Sequence, residues 1–297
     1  MAGESAGPPS AGPLGDIPDS AGSRRNRARG RGLLQRKPAR VAGSMNGRSC
    51  TILAFDTSSR LGSVIVTANG KVLARAFLRS PRRHASRLLP AIRGVLVASG
   101  AQLGDLAGIV VGCGPGSFTG VRVAAATAKG LTEGCGVPIW TYSSLAAAAA
   151  SEGVWLPAGW SGPAGWRKGH EDRAVEPPEP GTPCYVLFDA RADRVYAGCF
   201  RVGPGSVDVL VPPSATRLDE VLSSSVPEGA IFAGDGAFRH AAAIERRGWR
   251  VVPPPAGLPT AEGLARLFTL MPGPPVDDAR AWEPEYLRPW RAGAAGP

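Results

Sequence analysis

Histidine and cysteine are scarce in this sequence, and the cysteines form no regular framework. There are three histidines and five cysteines among 297 residues, and no two cysteines stand in a Cys-x-x-Cys pair. An odd number of cysteines without a secretory apolar segment argues against a disulfide-stapled secreted domain and favours a reducing cytoplasm. No run of about 18 consecutive apolar residues occurs, which excludes a transmembrane helix. We therefore expect a cytoplasmic protein that does not enter a membrane.

Lysine is also scarce, although the chain is basic. Four of the 34 Lys and Arg residues are lysine, and the formal net charge is +10. Residues 1–44 contain eight basic and three acidic residues, so half of that charge lies in a segment rich in Gly, Pro and Ser. This composition, without hydrophobic periodicity, predicts a disordered basic tail over residues 1–48. We expect Met45 to be the true start, because regular patterning begins just after it.

The first half of the remaining chain alternates between strand and helix patterns. Three β-rich runs linked by tight turns, one of them at Asn69-Gly70, come before two long helical segments. The predicted elements are strands at 52–56, 63–67 and 71–78, a helix at 86–99, a strand at 109–112, a helix at 117–133, a strand at 137–141 and a helix at 143–151. Their order is βββαβαβα.

The second half starts the same order again after an aperiodic segment. Runs at 185–189, 195–202 and 207–211 predict three strands. After them we predict helices at 218–222, 238–247 and 261–270, alternating with strands at 231–234 and 250–252. Three hairpin-linked strands followed by α/β crossovers, used twice, are typical of the actin-like superfamily of sugar kinases and heat-shock ATPases. We predict a duplicated actin-like (ASKHA) α/β fold with subdomains at 49–151 and 184–297, joined by a loop insertion at 152–183.

The most distinctive local pattern is the glycine-rich segment from Gly112 to Arg122, which reads GCGPGSFTGVR. It predicts a sharp strand-to-helix turn with Ser117 or Thr119 as the helix N-cap. Two interpretations stay open. Exposed backbone N–H groups at the helix start can hold a phosphate or another anion, or the glycines can simply supply the positive φ values of a tight turn. A P-loop is excluded because no Gly-Lys-Ser/Thr follows.

A second pattern concerns the loop after the first strand, where actin-like ATPases place a phosphate loop. An Asp at this point can hold magnesium-bound water, with nearby hydroxyls on phosphate. A glycine usually follows that Asp, and Thr57 takes its place here, which weakens nucleotide binding. We therefore predict at most a degenerate nucleotide or anion site, formed by Asp56, Thr57, Ser58, Gly114, Gly116, Ser117 and Asp189.

No catalytic or metal-binding residue is predicted. His84 precedes the first long helix, but Leu88 occupies the position four residues later, where a second ligand would stand. No Gly-x-Ser-x-Gly elbow occurs, and three scattered histidines do not support a catalytic triad. The helix after the glycine-rich segment carries small residues from Ala124 to Ala128, which suit close approach of another helix or subunit as well as packing on a sheet.

Several of these segments together resemble the TsaB (YeaZ) family. They are Ile52–Ser58, His84 with Arg87–Pro90, Gly112–Arg122, Asp189-Ala190-Arg191 with Val195-Tyr196, and Pro284–Arg288. The string Gly-Pro-Gly-Ser-Phe-Thr-Gly-x-Arg is highly specific among them. The resemblance implies a non-catalytic scaffold or dimerisation subunit of the complex that forms threonylcarbamoyladenosine in tRNAs reading codons that begin with adenine.

The resemblance also implies partners and an interface. The partners are a TsaD-type catalytic transferase, a TsaE-type ATPase, and tRNA through the complex, with ATP and a metal held by those subunits and no cofactor held tightly by this chain. Pairing through two N-terminal helices of each subunit maps onto residues 86–99 and 117–133, and a homodimer through the same helices is compatible with it. Ala125→Glu is expected to abolish pairing and leave the fold intact. The implied interface residues are Leu88, Leu89, Ile92, Val95, Phe118, Val121, Ala124, Ala125 and Ala128.

Two other functions stay open at the level of sequence. One is an independent small-molecule kinase with the actin-like fold, which tight ATP binding lost in Asp56→Ala would support. The other is a glycoprotease-like metallopeptidase, which a bound metal would support. The missing glycine after Asp56 counts against the first, and the scarcity of histidine counts against the second.

Overall fold

The computed structural model describes residues 50–79, 84–151, 179–191 and 193–287. All of these residues belong to one compact unit, 39–297. The predicted tail at 1–48 and most of the predicted insertion at 152–183 lie outside the described residues.

The described strands form two five-stranded sheets with the same internal order. In the first sheet the order is β3-β2-β1-β4-β5, and in the second it is β10-β9-β6-β7-β8. In both sheets the first three strands form antiparallel hairpins, and the other two run parallel to the first strand. The strands are β1 (Thr51–Asp56), β2 (Gly62–Ala68), β3 (Lys71–Leu78), β4 (Gly108–Gly112), β5 (Ile139–Tyr142), β6 (Pro183–Asp189), β7 (Arg194–Val202), β8 (Val207–Arg217), β9 (Ile231–Ala233) and β10 (Arg250–Val251). This repeat confirms the predicted actin-like α/β fold.

Helices connect the strands along the described chain. They are α1 (His84–Ser99), α2 (Phe118–Cys135), α3 (Ser144–Ala150), α4 (Leu218–Ser223), α5 (Asp235–Arg239), α6 (Ala241–Glu245) and α7 (Ala261–Leu270), with a 3₁₀ turn at Leu103–Asp105. Ser117 caps α2 by accepting the backbone N–H of Gly120, which confirms one of the two predicted caps. The helix ends at Gly136, whose φ of 68° is the left-handed conformation that favours glycine. None of the described helices is both long enough and apolar enough to cross a bilayer.

Helices α3 and α7 join the two halves of the fold through one hydrophobic core. Every residue of α3 is buried, and its alanines pack with Leu264 and Leu267 of α7 and with side chains of both sheets. Gly263 lies so close to α3 that a Cβ atom there would come within 2.1 Å of the Ala147 carbonyl oxygen. Small residues on both helices therefore permit a backbone approach that larger side chains would prevent.

The segment after α7 returns to the first sheet instead of staying with the second. The backbone N–H of Val276 donates to the carbonyl of Ile139 on β5 at 2.8 Å, and that of Glu285 donates to the carbonyl of Cys113 at 2.9 Å. We call residues 271–287 the C-terminal strap. It brings residues from the end of the chain beside the glycine-rich segment.

Two elements differ from those predicted. The helix expected at 238–247 is interrupted at His240, whose backbone leaves the helical region, so two short helices stand there. Strand β8 continues through Pro212 and Pro213 to Arg217, beyond the expected end at residue 211. Proline is tolerated because β8 is an edge strand, where one side of the backbone has no strand to pair with.

Candidate functional site

Asp56 is a fully buried carboxylate at the carboxyl end of β1. Its Oδ1 accepts both the backbone N–H and the hydroxyl of Ser58 at 2.6 Å, and its Oδ2 accepts the hydroxyl of Ser144 at 2.7 Å. Burial raises the pKa of Asp56, and these three hydrogen bonds oppose that rise. A Cβ atom at Gly112 would lie 1.8 Å from Oδ2, so only glycine leaves room for the carboxylate.

The loop after β1 is held directly against the glycine-rich segment. The backbone N–H of Ser117 donates to the carbonyl of Ser58 at 2.6 Å, and the Thr57 hydroxyl donates to the carbonyl of Gly120 at 2.6 Å. A Cβ atom at Gly116 would come within 2.4 Å of the Ser58 carbonyl oxygen. One at Gly120 would come within 1.9 Å of the Thr57 carbonyl oxygen. The space beside these two glycines is filled by the chain itself, so glycine here permits a close approach of two backbone segments, and the positive φ of the tight-turn interpretation is found at Gly114.

The residues of the predicted nucleotide or anion site fall into two groups. Asp56, Thr57, Ser58, Gly116 and Ser117 lie together at the contact of the two loops. Gly114 lies at its edge, with a φ of 100° and its N–H donated to the Ser144 hydroxyl at 3.2 Å. Nucleotide or anion binding by these residues stays a prediction.

Asp189 belongs to a separate cluster at the end of β6. Its carboxylate pairs with Arg239 at 2.7 Å, and its backbone N–H donates to Asp235 at 3.1 Å. Burial raises the pKa of Asp235, and the nearby Asp189 carboxylate adds to the rise. Within the described ranges, no hydrogen bond or ion pair joins Asp189 to the residues around Asp56.

His84 lies buried at the start of α1, near Asp56. Its Nε2 has no hydrogen-bond partner in the described part of the chain. Burial lowers the pKa of His84, while backbone carbonyls and the charge of Asp56 favour its protonated form. Among the described residues, no group of three or more His, Cys, Asp and Glu side chains is arranged to hold a metal ion.

Most of the predicted interface residues belong to this chain's own core. The buried ones are Leu88, Ile92, Val95, Val121, Ala124, Ala125 and Ala128, and all of them except Val121 and Ala125 belong to the core cluster of the first sheet. The helical spacing of these residues predicted correctly that they share a face. That face points into the chain's own core, because the apolar side chains of the sheet have to be covered. Leu89 and Phe118 are exposed, with relative accessibilities of 55% and 42%. Of the predicted interface residues, these two have side chains that a partner could contact without rearrangement, and the interface itself stays a prediction.

The opposite side of α1 and α2 is exposed, and we call it the outer face. It contains Leu89, Arg93, Gly94 and Val97 on α1, and Phe118, Arg122, Ala126 and Gly130 on α2. Residues spaced by four along each helix share one side of it. A Cβ atom at Gly94 or Gly130 would meet no other atom of the chain within 4 Å. Within the described ranges, no neighbouring atom therefore requires glycine at those two helical positions.

At one end of the outer face, α2 meets the C-terminal strap in an aromatic cluster. The guanidinium of Arg122 lies 3.7 Å from the centre of the Phe118 ring, and its Nε donates to the Tyr286 hydroxyl at 3.2 Å. The two rings are 5.8 Å apart and tilted by 47°. Sequence reasoning did not join Tyr286 to Arg122, although both lie in segments that carry the family resemblance.

Comparison with known proteins gives consistent matches. The family model described as TsaD, tRNA N6-adenosine threonylcarbamoyltransferase, matches residues 75–159. The tRNA threonylcarbamoyladenosine biosynthesis protein TsaB of Escherichia coli (strain K12) is 40% identical over 104 residues, which are 35% of this chain and 44% of that protein. TsaB of Bacillus subtilis (strain 168) is 29% identical over 197 residues, 66% of this chain and 75% of that protein.

Solved structures agree with the sequence matches. A Pseudomonas aeruginosa protein, described as uncharacterized and similar to peptidase YEAZ, superimposes with a TM-score of 0.62 at 28% identity. The match covers 80% of this chain and 99% of that one. A structure titled YeaZ, also from Pseudomonas aeruginosa, has a TM-score of 0.59 at 28% identity over the same shares.

Proposed function

We propose that this chain, which belongs to the TsaB (YeaZ) family, takes part in forming threonylcarbamoyladenosine in tRNA as a scaffold subunit. In this role it assembles with a TsaD-type transferase and contributes no catalytic residue. The TsaE-type ATPase and the tRNA join the same complex, and ATP and the metal are held by the partner subunits. We infer a cytoplasmic location from this role.

The outer face of α1 and α2 is the observation that carries the proposal. Leu89 and Val97 are exposed by 55% and 75%, although both are large apolar side chains. Glycine inside a helix costs about 1 kcal/mol relative to alanine, and no described residue lies close enough to Gly94 or Gly130 to exclude a Cβ atom there. Exposed apolar residues next to glycines suit a partner helix that approaches closely. A homodimer would use the same surface and compete with the heteromeric complex.

The loop contacts around Asp56 support a subunit without its own nucleotide chemistry. A kinase needs open backbone N–H groups for phosphate at these loops. Here the N–H of Ser117 is used by the carbonyl of Ser58, and Gly120 abuts Thr57. This arrangement makes an independent small-molecule kinase a weaker candidate than a scaffold.

A binding experiment with paired variants tests the proposal. The full chain is mixed with the TsaD-type subunit of the same organism, and the mass of the product is read by light scattering after gel filtration. We expect a stable complex with the wild type and none with Ala126→Glu, whose new charge lies on the outer face. Ala242→Glu is the matched control, because Ala242 is exposed on α6 in the other half of the chain. Failure of the wild type to bind would refute the scaffold role.

A further inference from the structure

We propose that Arg122 anchors the interface by receiving a carboxylate from the partner subunit, in a setting prepared by Phe118 and Tyr286. The inference rests on the proposed function, since the partner is the subunit that covers the outer face. It names the chemistry of the contact, which is a single Asp or Glu side chain of the partner.

The geometry holds the guanidinium in place before any partner arrives. One face of Arg122 is stacked at 3.7 Å on Phe118, and Nε is fixed by the hydroxyl of Tyr286. The two terminal nitrogens remain as a fork that matches the two oxygens of a carboxylate. An arginine that is already ordered loses less side-chain entropy on binding, which favours affinity.

Within the described ranges, no carboxylate of this chain satisfies Arg122. Two other cations, one on α2 and one in the C-terminal strap, are paired with carboxylates of this chain. Lys129 bonds to Glu283 of the C-terminal strap at 3.3 Å, and Arg280 is paired with Glu133 of α2. Among the described residues of α2 and the C-terminal strap, Arg122 is thus a cation without a carboxylate partner. Its two terminal nitrogens can bind a carboxylate of another subunit.

The surroundings favour a protein carboxylate over the phosphates of RNA. Binding to a phosphate backbone draws on several unpaired basic groups along a track. On α2 and the C-terminal strap, Lys129 and Arg280 are already paired with carboxylates, which leaves Arg122 and, on α1, Arg93 as the basic residues of the outer face. The outer face also contains Ala126, one turn later on α2, and exposed Val97 on α1. Aromatic side chains and arginine are enriched among the residues that dominate the binding energy of protein interfaces.

Three variants of the full chain test this assignment against the TsaD-type subunit. Arg122→Gln removes the charge and should raise the Kd of the complex about 30-fold, the range of an interface anchor. Arg122→Lys keeps the charge but loses the fork, and we expect a rise of about 10-fold. Tyr286→Phe removes only the acceptor that orients Arg122, and we expect a rise of about fivefold. Arg201→Gln is the control, because Arg201 is exposed on β7 of the second sheet.

Two further measurements distinguish loss of the Arg122–carboxylate contact from a general effect of charge and from misfolding of the variant. The thermal midpoint of each isolated variant should match that of the wild type, because Arg122 and Tyr286 are exposed. The Kd of the wild-type complex should rise more steeply with salt than that of Arg122→Gln, because one ion pair is missing in the variant.

Two results would overturn the assignment, and they are distinguishable. If the wild type forms the complex and Arg122→Gln binds equally well, the anchor is refuted while the scaffold role stands. Loss of tRNA binding by that intact variant complex would reassign Arg122 to RNA. If the wild type forms no complex at all, both the anchor and the scaffold role fail.

Discussion

The backbone N–H of Ser117 donates to the carbonyl oxygen of Ser58 over 2.6 Å, and this bond ties the start of α2 to the loop after β1. It joins two segments that lie 59 residues apart in the sequence and carry the strongest family resemblance. A phosphate cradle would need the backbone N–H groups of these segments to be open to a ligand. Here the two loops face each other.

Substitution of Gly120 tests how closely the loop after β1 packs against the start of α2. In Gly120→Ala the new methyl group would lie 1.9 Å from the Thr57 carbonyl, so the loop must move and break the bonds that hold it. We expect a loss of about 2–3 kcal/mol in the free energy of unfolding, as for other overpacked sites. Urea denaturation of the isolated chain measures it.

Gly130→Ala is the matched control on the same helix. Its methyl group meets nothing within 4 Å, so the isolated chain should gain about 0.5–1 kcal/mol from better helix propensity. The complex with the partner should nevertheless become weaker, if the partner's backbone approaches at Gly130. Equal stability losses in the two variants would show that the close contact at Gly120 is not decisive.

Asp56 should make the stability of the fold depend on pH. Its pKa is raised in the folded state, so the folded chain keeps a proton that the unfolded chain releases. Its contribution is therefore complete below the unfolded pKa of about 4 and is lost as the pH rises through the folded pKa. The titratable groups that interact with it are His84 and Cys113.

The comparison of Asp56→Asn with the wild type isolates this effect. The stability of the variant relative to the wild type should rise between pH 4 and pH 7, because asparagine does not titrate. Asp56→Ala should remove the same pH dependence but should also lose about 3 kcal/mol or more at pH 4, since Ser58 and Ser144 are left with buried donors that have no acceptor. A difference between wild type and Asp56→Asn that stays constant with pH would contradict the raised pKa.

Cys113 should be a poorly reactive thiol. Burial, aided by the carboxylates of Glu285 and Asp56, raises the pKa of Cys113 to about 12. Thiolate is the reactive species, so alkylation of Cys113 at pH 8 should be far slower than that of exposed Cys135. Peptide mass spectrometry after timed treatment with iodoacetamide gives both rates. Faster labelling of Cys113 than of Cys135 would contradict this environment.

Two adjacent alanines of α2 should respond very differently to a charge. Ala125 is buried and Ala126 is exposed, so Ala125→Glu places an unpaired carboxylate in the core. We expect a loss of about 3–5 kcal/mol for Ala125→Glu, and about 0.5 kcal/mol or less for Ala126→Glu in the isolated chain. Thermal denaturation of the two variants side by side makes the measurement. Because Ala125 is buried, the structure contradicts the expectation from the sequence that Ala125→Glu leaves the fold intact.

Local chemistry made much of the fold predictable. Short-range patterns predicted the cap at Ser117, the hairpin at Asn69-Gly70 and the bounds of α7. The repeated order of strands and helices was predicted from the sequence of such local elements. Periodicity also identified which positions of α1 share a face. It could not tell which of the two faces the sheet would cover, since both contain apolar residues such as Leu88 and Leu89.

Long-range contacts account for what the sequence did not reveal. The glycines at 116 and 120 look the same whether phosphate or the Thr57–Ser58 backbone fills the space beside them. The meeting of Arg122 with Tyr286 depends on the return of the C-terminal strap across 164 residues. No pattern within either segment encodes that return.

The formation of threonylcarbamoyladenosine in a reconstituted reaction tests the central claim most directly. Purified TsaD-type and TsaE-type subunits, tRNA and threonylcarbamoyl adenylate are combined with or without the full chain, and the modified nucleoside is measured by mass spectrometry. We predict that product forms only when this chain is present, that the chain alone forms none, and that Ala126→Glu fails to support the reaction. Product formation by the chain alone, or an unchanged rate in its absence, would contradict the scaffold role.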